Sequence, residues 1–321
     1  MLVNRPITEG ASPRIRVISD NDYSGDPDGL IQLAHVLLSP SADVRAIIGS
    51  HLRKDVPWPV AESPATEAAQ FAAELLALAG LNYTVPVFAG AETGMRSAKE
   101  PMSNAAVDFI ISEALREDTE LPLYYLCGGP LTQIASAYLK EPKIAKRLKL
   151  VWIGGHGYYS SSEHKEAEFN LSADIFAAQV IFNDSDIELW QVPESAYGTT
   201  LVSRAETIQR VANQGKMGDY IWEKYRDVEV FAKSIGLNFG EVFVYGDSPL
   251  VSLTVLQTAF SGLSMSSESK LVRAPQISDS GAYAFGEEGR EIRVFTSIDT
   301  RLMVEDFFTK LNYLASNEAG S

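Results

Sequence analysis

Residues 14–39, RIRVISDNDYSGDPDGLIQLAHVLLS, carry the pattern that decides the fold. The apolar and β-branched run at residues 14–19 predicts a strand, and residues 29–39 predict a helix. Between them, nine residues hold four aspartates and Gly25, and Gly29 follows directly, which predicts a tight acidic loop. A strand, a polar loop and a helix form the repeating unit of an α/β sheet.

The same alternation continues along the chain. Further strands are predicted at residues 43–49, 84–89, 123–127, 148–153 and 187–192, and helices at residues 66–79, 105–116, 131–140 and 175–182. Strands that are hydrophobic almost throughout are typical of a parallel sheet covered on both faces. We therefore predict an open, mostly parallel, Rossmann-like α/β sheet in a single domain over residues 1–321, with an ordered core from about residue 14 to 314. Residues 200–236 predict a mostly helical cap over the strand ends.

The composition narrows the possible functions. The chain has 321 residues, 45% of them hydrophobic, and 42 acidic against 27 basic residues give a net charge of −15. Such a charge repels phosphate backbones and anionic lipid, so we expect neither a nucleic-acid partner nor a membrane partner. A single cysteine, Cys127, and no apolar leader at the start predict a cytoplasmic location.

The acidic loop predicts a metal site. In α/β sheets, ligands bind outside the carboxyl ends of the strands, where this loop lies. Its carboxylates, Asp20, Asp22, Asp26 and Asp28, are the oxygen ligands that a hard cation such as Ca²⁺ or Mg²⁺ prefers. One aspartate alone would be a helix cap, as Asp28 is placed to be, but four together favour metal binding or catalysis.

Two known motifs resemble this loop in part. An EF-hand begins similarly, but its twelfth position requires a glutamate and is Ile31 here. A phosphatase of the haloacid dehalogenase type begins with Asp-x-Asp after a strand, with Asp20 as nucleophile and Asp22 as acid and base. That family also needs a second acid after its late Gly-Asp, and the segment Gly246-Asp247 has none nearby. The phosphatase remains an alternative.

A third set of motifs runs through most of the chain. The loop at residues 20–28 resembles Asp-x-Asp-x-Gly-x-Asp-Asp, and residues 129–135, GPLTQIA, resemble Gly-Pro-Leu-Thr-Asn-Ile-Ala. Glu168-Phe169-Asn170 and the later Asp247-Ser248-Pro249 follow in the same order as in that family. On these motifs the chain is similar to the nucleoside hydrolases, the inosine-uridine preferring type included. The resemblance implies hydrolysis of the N-glycosidic bond of a ribonucleoside or related N-riboside by a homo-oligomer, either a dimer or a tetramer.

The resemblance also implies a calcium centre. Asp22 would be both a Ca²⁺ ligand and the base that takes a proton from the attacking water. The other ligands would be Asp28, Asp247 and the carbonyl of Gly128. Cleavage of a glycosidic bond builds positive charge on the sugar, which a ring of carboxylates stabilises.

On the substrate side, the resemblance implies that Asp26, Glu168 and Asn170 hold the ribose hydroxyls. Ser50 stands where the family has an asparagine, and His51 follows it, so we predict both as substrate contacts. Gly246 replaces the family's histidine, the acid that protonates the leaving base. The replacement candidates are His51, His156, His164 and Tyr245, whereas His35 lies within a helix and is predicted to be packed. A pseudo-hydrolase that only binds a ribosyl ligand is the remaining alternative.

Overall fold

The computed structural model describes residues 11–53, 55–56, 60–81, 83–158, 167–258 and 265–319. Their strands, in chain order, are β1 (Ile15–Asn21), β2 (Ala42–Gly49), β3 (Val87–Ala89), β4 (Leu123–Cys127), β5 (Leu148–Ile153), β6 (Glu188–Val192), β7 (Leu201–Ser203), β8 (Val242–Val244), β9 (Glu268–Arg273), β10 (Gln276–Ile277), β11 (Tyr283–Ala284) and β12 (Glu291–Ser297).

The helices alternate with these strands. They are α1 (Asp28–Leu37), α2 (Pro64–Leu78), α3 (Ala105–Ala114), α4 (Thr132–Lys140), α5 (Phe169–Ala173), α6 (Ile175–Gln179), α7 (Glu194–Tyr197), α8 (Arg204–Arg210), α9 (Gly215–Ser234), α10 (Pro249–Ser252) and α11 (Thr300–Ala319). A 3₁₀ turn at Pro142–Lys146 follows α4, and a π-helical turn at Val180–Asp184 follows α6. None of these helices is long and apolar enough to span a bilayer.

Eight strands form one open sheet in the order β3-β2-β1-β4-β5-β6-β12-β9. The neighbours from β3 to β12 are parallel, and only the edge strand β9 runs antiparallel to β12. The chain is therefore a single open α/β domain, as the alternation of strands and helices predicts. The order in which the strands are added reverses beside β1, since β2 lies on one side of it and β4 on the other. Such a reversal of strand order opens a crevice at the carboxyl ends of the strands.

Two hydrophobic cores lie on opposite faces of this sheet. Alternate residues of one strand enter different cores, as Val17 and Ile18 of β1 do, because side chains alternate across a strand. The first core packs the sheet against residues of α1, α2, α9 and α11. The second packs it against residues of α3, α4 and α6. Both faces are covered, so the strands can be apolar throughout.

The structure corrects the predicted elements at three places. β1 runs on through Asp20 and Asn21, which pair with Ile48 and Gly49, so the acidic loop begins two residues later than predicted. β3 begins only at Val87, because Pro86 has no amide hydrogen for the ladder. β9 and β12 were not predicted, although β12 has the alternating burial of a strand.

Candidate active site

A cavity of about 390 Å³ opens at the carboxyl ends of β1, β4 and β5. Its walls combine five acidic side chains with a larger apolar surface. The lining residues are Asp22, Asp26, Asp28, Leu52, Gly128, Ile153, Glu168, Phe169, Asn170, Tyr197, Phe239, Val242, Phe243, Val244, Gly246 and Asp247. The ends of separate strands thus meet at one place, as the rule for parallel sheets requires.

The acidic loop turns sharply to reach this cavity. The amide of Gly25 donates to the carbonyl of Asp22 at 2.7 Å and closes the turn. Pro27 then precedes α1, and its carbonyl accepts from the amide of Ile31 at 3.0 Å. Asp28 lies in the first turn of α1, where the helix dipole favours a carboxylate. The turn and the helix together present Asp22, Asp26 and Asp28 to the cavity.

Asp20 points away from the cavity, which corrects its predicted place in the acidic cluster. It is fully buried, and the hydroxyls of Ser50 and Tyr125 donate to its two carboxylate oxygens. Burial raises the pKa of Asp20 to about 7, against the lowering effect of these two hydrogen bonds. A carboxylate enclosed in this way has no free oxygen for a phosphoryl group, so the phosphatase alternative loses its nucleophile.

Asn21 connects two distant parts of the site, a role that the sequence analysis missed. Its Nδ2 donates to Oδ2 of Asp247 at 2.9 Å, and its Oδ1 accepts from the amide of Asp22 at 2.8 Å. The side chain is fully buried at the end of β1. One amide therefore fixes both the backbone of Asp22 and the carboxylate of Asp247.

Asp247 also meets Asp28, since the amide of Asp247 donates to Oδ2 of Asp28 at 3.2 Å. Loss of water contact raises the pKa of Asp28 well above its ordinary value, and the charges of Asp247 and Asp26 raise it further. The pKa of Asp22 is raised well above its ordinary value by the same causes. No lysine, arginine or histidine is among the described lining residues to lower these pKa values again.

Glu168 and Asn170 form the opposite side of the cavity. The amides of Gly155 and Leu171 donate to Oε2 of Glu168, at 2.7 and 3.1 Å, and Tyr197 donates its hydroxyl to Oε1 at 2.8 Å. Nδ2 of Asn170 donates to the carbonyls of Gly128 at 3.0 Å and Ile153 at 2.9 Å. Burial raises the pKa of Glu168. Tyr197 had no signal in the sequence, because nothing in its short helix α7 marks it as functional.

The structure places Ser50 and His51 outside the cavity lining. Ser50 faces Asp20, and the ring nitrogens of His51 lie 3.2 Å from the carbonyl of Ala91 and 3.4 Å from that of Ala173. Their roles as substrate contacts stay predictions from the resemblance. The predicted helical segment is mostly helical as α8 and α9, but the cavity is reached by Phe239 and β8 beyond it.

None of the predicted replacement acids that the structure describes lines the cavity. His35 is fully buried and pairs with Asp306 at 2.8 Å, as expected for a packed side chain. His156 lies 3.0 Å from a carboxylate oxygen of Glu194, and the hydroxyl of Tyr245 lies 3.0 Å from that of Thr207. His164 lies outside the described residues.

The donor chemistry of the cavity fits a hard cation. Carboxyl groups of Asp22, Asp28 and Asp247 line it together with Gly128. Burial first, and the proximity of the acids to one another second, raise the pKa values of all three groups. Among the described residues, however, no three His, Cys, Asp or Glu side chains are gathered closely enough to hold a metal ion. The donor atoms of the cavity thus suit a hard cation, but the described side chains do not form a complete coordination shell.

An open α/β sheet with a carboxylate-rich, partly apolar cavity at its switch point defines a class of small-molecule binding or hydrolytic domains. Comparison with known proteins narrows this class. The family profile described as inosine-uridine preferring nucleoside hydrolase matches residues 17–238. The chain belongs to this family.

Individual relatives agree with this assignment. An inosine-uridine preferring nucleoside hydrolase of Crithidia fasciculata is 37% identical over 89 residues, which are 28% of this chain and 25% of that protein. The pyrimidine-specific ribonucleoside hydrolase RihB of an Escherichia coli strain is 26% identical over 174 residues, 47% of this chain and 53% of that protein. The matches thus span about a quarter to a half of these curated relatives.

Solved structures of nucleoside hydrolases superpose on nearly the whole of this chain. The crystal structure of the inosine-uridine preferring nucleoside hydrolase from Bacillus anthracis superposes with a TM-score of 0.64 at 15% identity, covering 93% of this chain and 99% of that one. At that identity the likeness establishes the fold and not the substrate.

Proposed function

We propose that this protein hydrolyses the N-glycosidic bond of a ribonucleoside or related N-riboside in a Ca²⁺-dependent reaction. One observation carries the proposal. In a chain of the nucleoside hydrolase family, the carboxylates of Asp22, Asp28 and Asp247 line the same cavity as Glu168 and Asn170. The first three acids supply hard oxygen ligands, and the last two supply polar contacts for a sugar.

Four groups of the chain would hold the metal: the carboxylates of Asp22, Asp28 and Asp247 and the carbonyl of Gly128. When bound, Ca²⁺ would supply positive charge that orients the sugar diol and makes water easier to deprotonate. Asn21 keeps Asp247 in place through its hydrogen bond at 2.9 Å, and the Asp247 amide holds Asp28. These two contacts limit how far the acids must move to share a cation.

Asp22 is the base in this proposal. It lies at the start of the acidic loop, where its carboxylate faces the cavity and its amide is fixed by Oδ1 of Asn21. A carboxylate held in this way takes the proton of the attacking water as the bond to the ribose carbon forms. We assign the proton to the Asp22 carboxylate and the developing sugar cation to the surrounding acids.

The ribose hydroxyls are assigned to Asp26, Glu168 and Asn170. Asp26 is exposed on the rim, whereas Glu168 and Asn170 are buried in the wall. Because two carbonyls engage Nδ2 of Asn170, we assign its Oδ1 to a ribose hydroxyl. The buried carboxyl group of Glu168 is held by two amides and one phenol, which would orient it towards a second hydroxyl.

The hydroxyl of Ser50 donates to Asp20, and its role as a substrate contact stays a prediction alongside this hydrogen bond. The ring nitrogens of His51 lie 3.2 Å from the carbonyl of Ala91 and 3.4 Å from that of Ala173, and its role as a substrate contact stays a prediction too. A homo-oligomeric assembly, a cytoplasmic location and the domain bounds stay predictions from the sequence. Sedimentation of the purified protein would decide between a monomer, a dimer and a tetramer.

Release of free ribose tests the proposal. The substrates are uridine, inosine and nitrophenyl riboside, each with added Ca²⁺ and, in parallel, with chelator. We expect ribose release that stops with chelator, returns with Ca²⁺ and is lost in Asp22→Ala. The matched control is Asp108→Ala, whose side chain is 73% exposed on α3. No ribose from any of the three substrates, with the protein folded and Ca²⁺ present, would overturn the proposal and favour a ribosyl-binding protein.

A further inference from the structure

One peptide group beside the cavity directs the carboxyl group of Glu168. The amide of Gly155 donates to Oε2 of Glu168 at 2.7 Å. The nitrogen of Gly155 belongs to the same peptide group as the carbonyl of Gly154. Because a trans peptide group is planar, its N–H and its C=O point in opposite directions. A contact that holds the carbonyl of Gly154 therefore also aims the donor at Glu168.

Gln191 makes this contact from behind the wall of the cavity. Its side chain is fully buried in β6, and its Nε2 donates to the carbonyl of Gly154 at 2.9 Å. Gln191 is not among the residues that line the cavity. The side-chain amide, the peptide group and Glu168 thus form one row of donors and acceptors, and hydrogen bonds in such a row polarise and strengthen one another.

Two phenols hold the amide of Gln191 in turn. Its Nε2 also donates to the hydroxyl of Tyr283 at 3.0 Å, and the hydroxyl of Tyr158 donates to its Oε1 at 2.7 Å. A hydroxyl can donate or accept, whereas the carbonyl of Gly154 can only accept. The carbonyl therefore selects Nε2, and the two phenols complete the hydrogen bonds of the buried amide.

The turn at Gly154 and Gly155 depends on this support. The amide of Gly154 donates to the carbonyl of Val192 at 3.0 Å, and the amide of Glu194 donates to the carbonyl of Gly155 at 2.9 Å. These bonds anchor the two ends of the turn but do not involve the peptide group between the glycines. Gly155 has a φ of 76°, which glycine adopts readily, so this peptide group can turn over at little steric cost. Turning over would place a carbonyl oxygen against Glu168, acceptor against acceptor.

We propose that Gln191 is a positioning residue for sugar binding, which keeps the N–H of Gly155 directed at Glu168. This inference rests on the proposed hydrolase function, in which Glu168 binds a ribose hydroxyl, and adds to it a residue outside the cavity. With Gln191 in place, the carboxyl group of Glu168 is presented to the sugar in one orientation. Without Gln191, the peptide group samples both orientations and the ribose hydroxyl is bound less tightly.

Hydrogen exchange of the Gly155 amide, followed by NMR, tests the contact itself and needs no turnover. In Gln191→Leu we expect this amide to exchange about three- to tenfold faster, relative to the amide of Gly154, which reports on the turn as a whole. Gln179→Leu is the matched control, because Nε2 of Gln179 also donates to a backbone carbonyl, that of Ile277 at 3.4 Å, away from the cavity. Unchanged relative exchange at Gly155 in Gln191→Leu would overturn the inference, whether or not the protein is a hydrolase.

The kinetics of nitrophenyl riboside hydrolysis test the consequence for the sugar. In Gln191→Leu we expect KM to rise about three- to tenfold with kcat little changed, and in Gln179→Leu we expect no rise. Glu168→Ala removes the group through which Gln191 acts, so adding Gln191→Leu to it should raise KM no further. Effects of the two substitutions that multiply would contradict the inference, because Gln191 would then act by another route.

Tyr158→Phe provides a milder variant if Gln191→Leu does not fold. It removes the hydrogen bond to Oε1 and keeps the amide of Gln191, so KM should rise by a smaller factor in the same direction. No change of KM in either folded variant would overturn the inference. If the unsubstituted protein releases no ribose, the proposed function fails, and the exchange of the Gly155 amide still decides the role of Gln191.

Discussion

Nδ2 of Asn21 donates to Oδ2 of Asp247 at 2.9 Å and joins the first strand to a residue 226 positions later. The same amide holds the backbone of Asp22, so the proposed base and a proposed ligand share one support. Both groups are buried around this contact, where a lost partner cannot be replaced readily by water.

Replacing this amide tests its role. In Asn21→Ala, Asp247 loses its donor inside the protein, which costs about 1–3 kcal/mol when a buried polar group is left without a partner. We expect the free energy of unfolding to fall by about that amount, and kcat/KM for nitrophenyl riboside to fall by about tenfold or more. The control is Asn312→Ala, which removes an exposed bond of 3.1 Å to Gln214. Equal effects of the two substitutions, measured by urea unfolding and initial rates, would contradict the role of Asn21.

The packing around Gly128 leaves no room for a side chain at this position. A Cβ atom there would lie 2.3 Å from Nδ2 of Asn21, within a packed and buried group. Gly128→Ala should therefore push the amide away from Asp247, destabilise the protein by about 1–3 kcal/mol and lower activity. Gly286→Ala is the matched control, because its nearest neighbour would be 3.9 Å away. Thermal unfolding that is unchanged in Gly128→Ala would show that the strand end can relax and that the close contact is not required.

The hydroxyl of Tyr197 donates to Glu168, which we propose binds the sugar. Tyr197→Phe removes the donor to Oε1 and leaves the two backbone amides on Oε2. If Glu168 binds ribose equally in the ground and transition states, KM rises about three- to tenfold while kcat changes little. Tyr313→Phe, at a position 39% exposed on α11, serves as control. A fall in kcat at constant KM would instead place Tyr197 in the chemical step.

The buried imidazole of His35, which pairs with the partly buried Asp306, predicts that the protein loses stability in acid. Burial lowers the pKa of His35 from 6.5 to about 4, so the unfolded chain binds the proton more tightly than the folded one. The stability from the neutral imidazole is complete above pH 6.5 and is lost as the pH falls towards 4. The lowered pKa of Asp306 acts in the same direction, because its carboxylate is held by His35 and Lys310.

Urea unfolding at pH 7 and pH 4 measures this effect. We expect His35 to contribute a loss of about 2–3 kcal/mol between these pH values. In His35→Leu that contribution should disappear, so the free energy of unfolding should fall less between pH 7 and pH 4. An equal fall in both proteins would mean that other groups govern the acid sensitivity.

The sequence predicted most of the fold because the apolar runs of β1, β2, β4, β5 and β6 are continuous and separated by clear helices. It missed β12, which lies far along the chain from its partner β6 and pairs with it only in the folded sheet. At the site, the motifs located Asp22, Asp28, Glu168 and Asp247, all of which line one cavity. A motif gives the spacing of residues along the chain but not the direction in which each side chain points. It therefore did not show that the side chain of Asp20 faces the interior of the protein and not the cavity.

The contacts of the site depend on tertiary packing. Tyr197 reaches Glu168 from a four-residue helix, and Phe239 reaches the cavity from a loop after α9. Neither residue has a local pattern that distinguishes it from an ordinary aromatic side chain. Ser50 and His51 follow a strand end, as site residues do, but in the folded protein Ser50 contacts Asp20 and His51 contacts the carbonyl of Ala91. Position along the chain does not reveal these contacts.

The most direct test of the central claim is the rate of ribose release from nitrophenyl riboside by Asp22→Asn at saturating Ca²⁺. This substrate needs no leaving-group acid, so its rate reports on activation of the water. Because a positioned base contributes about 10²- to 10⁴-fold, we predict a fall of at least ~100-fold with unchanged thermal unfolding. A rate within about tenfold of the unsubstituted protein would contradict the assignment of Asp22 as the base and the mechanism built on it.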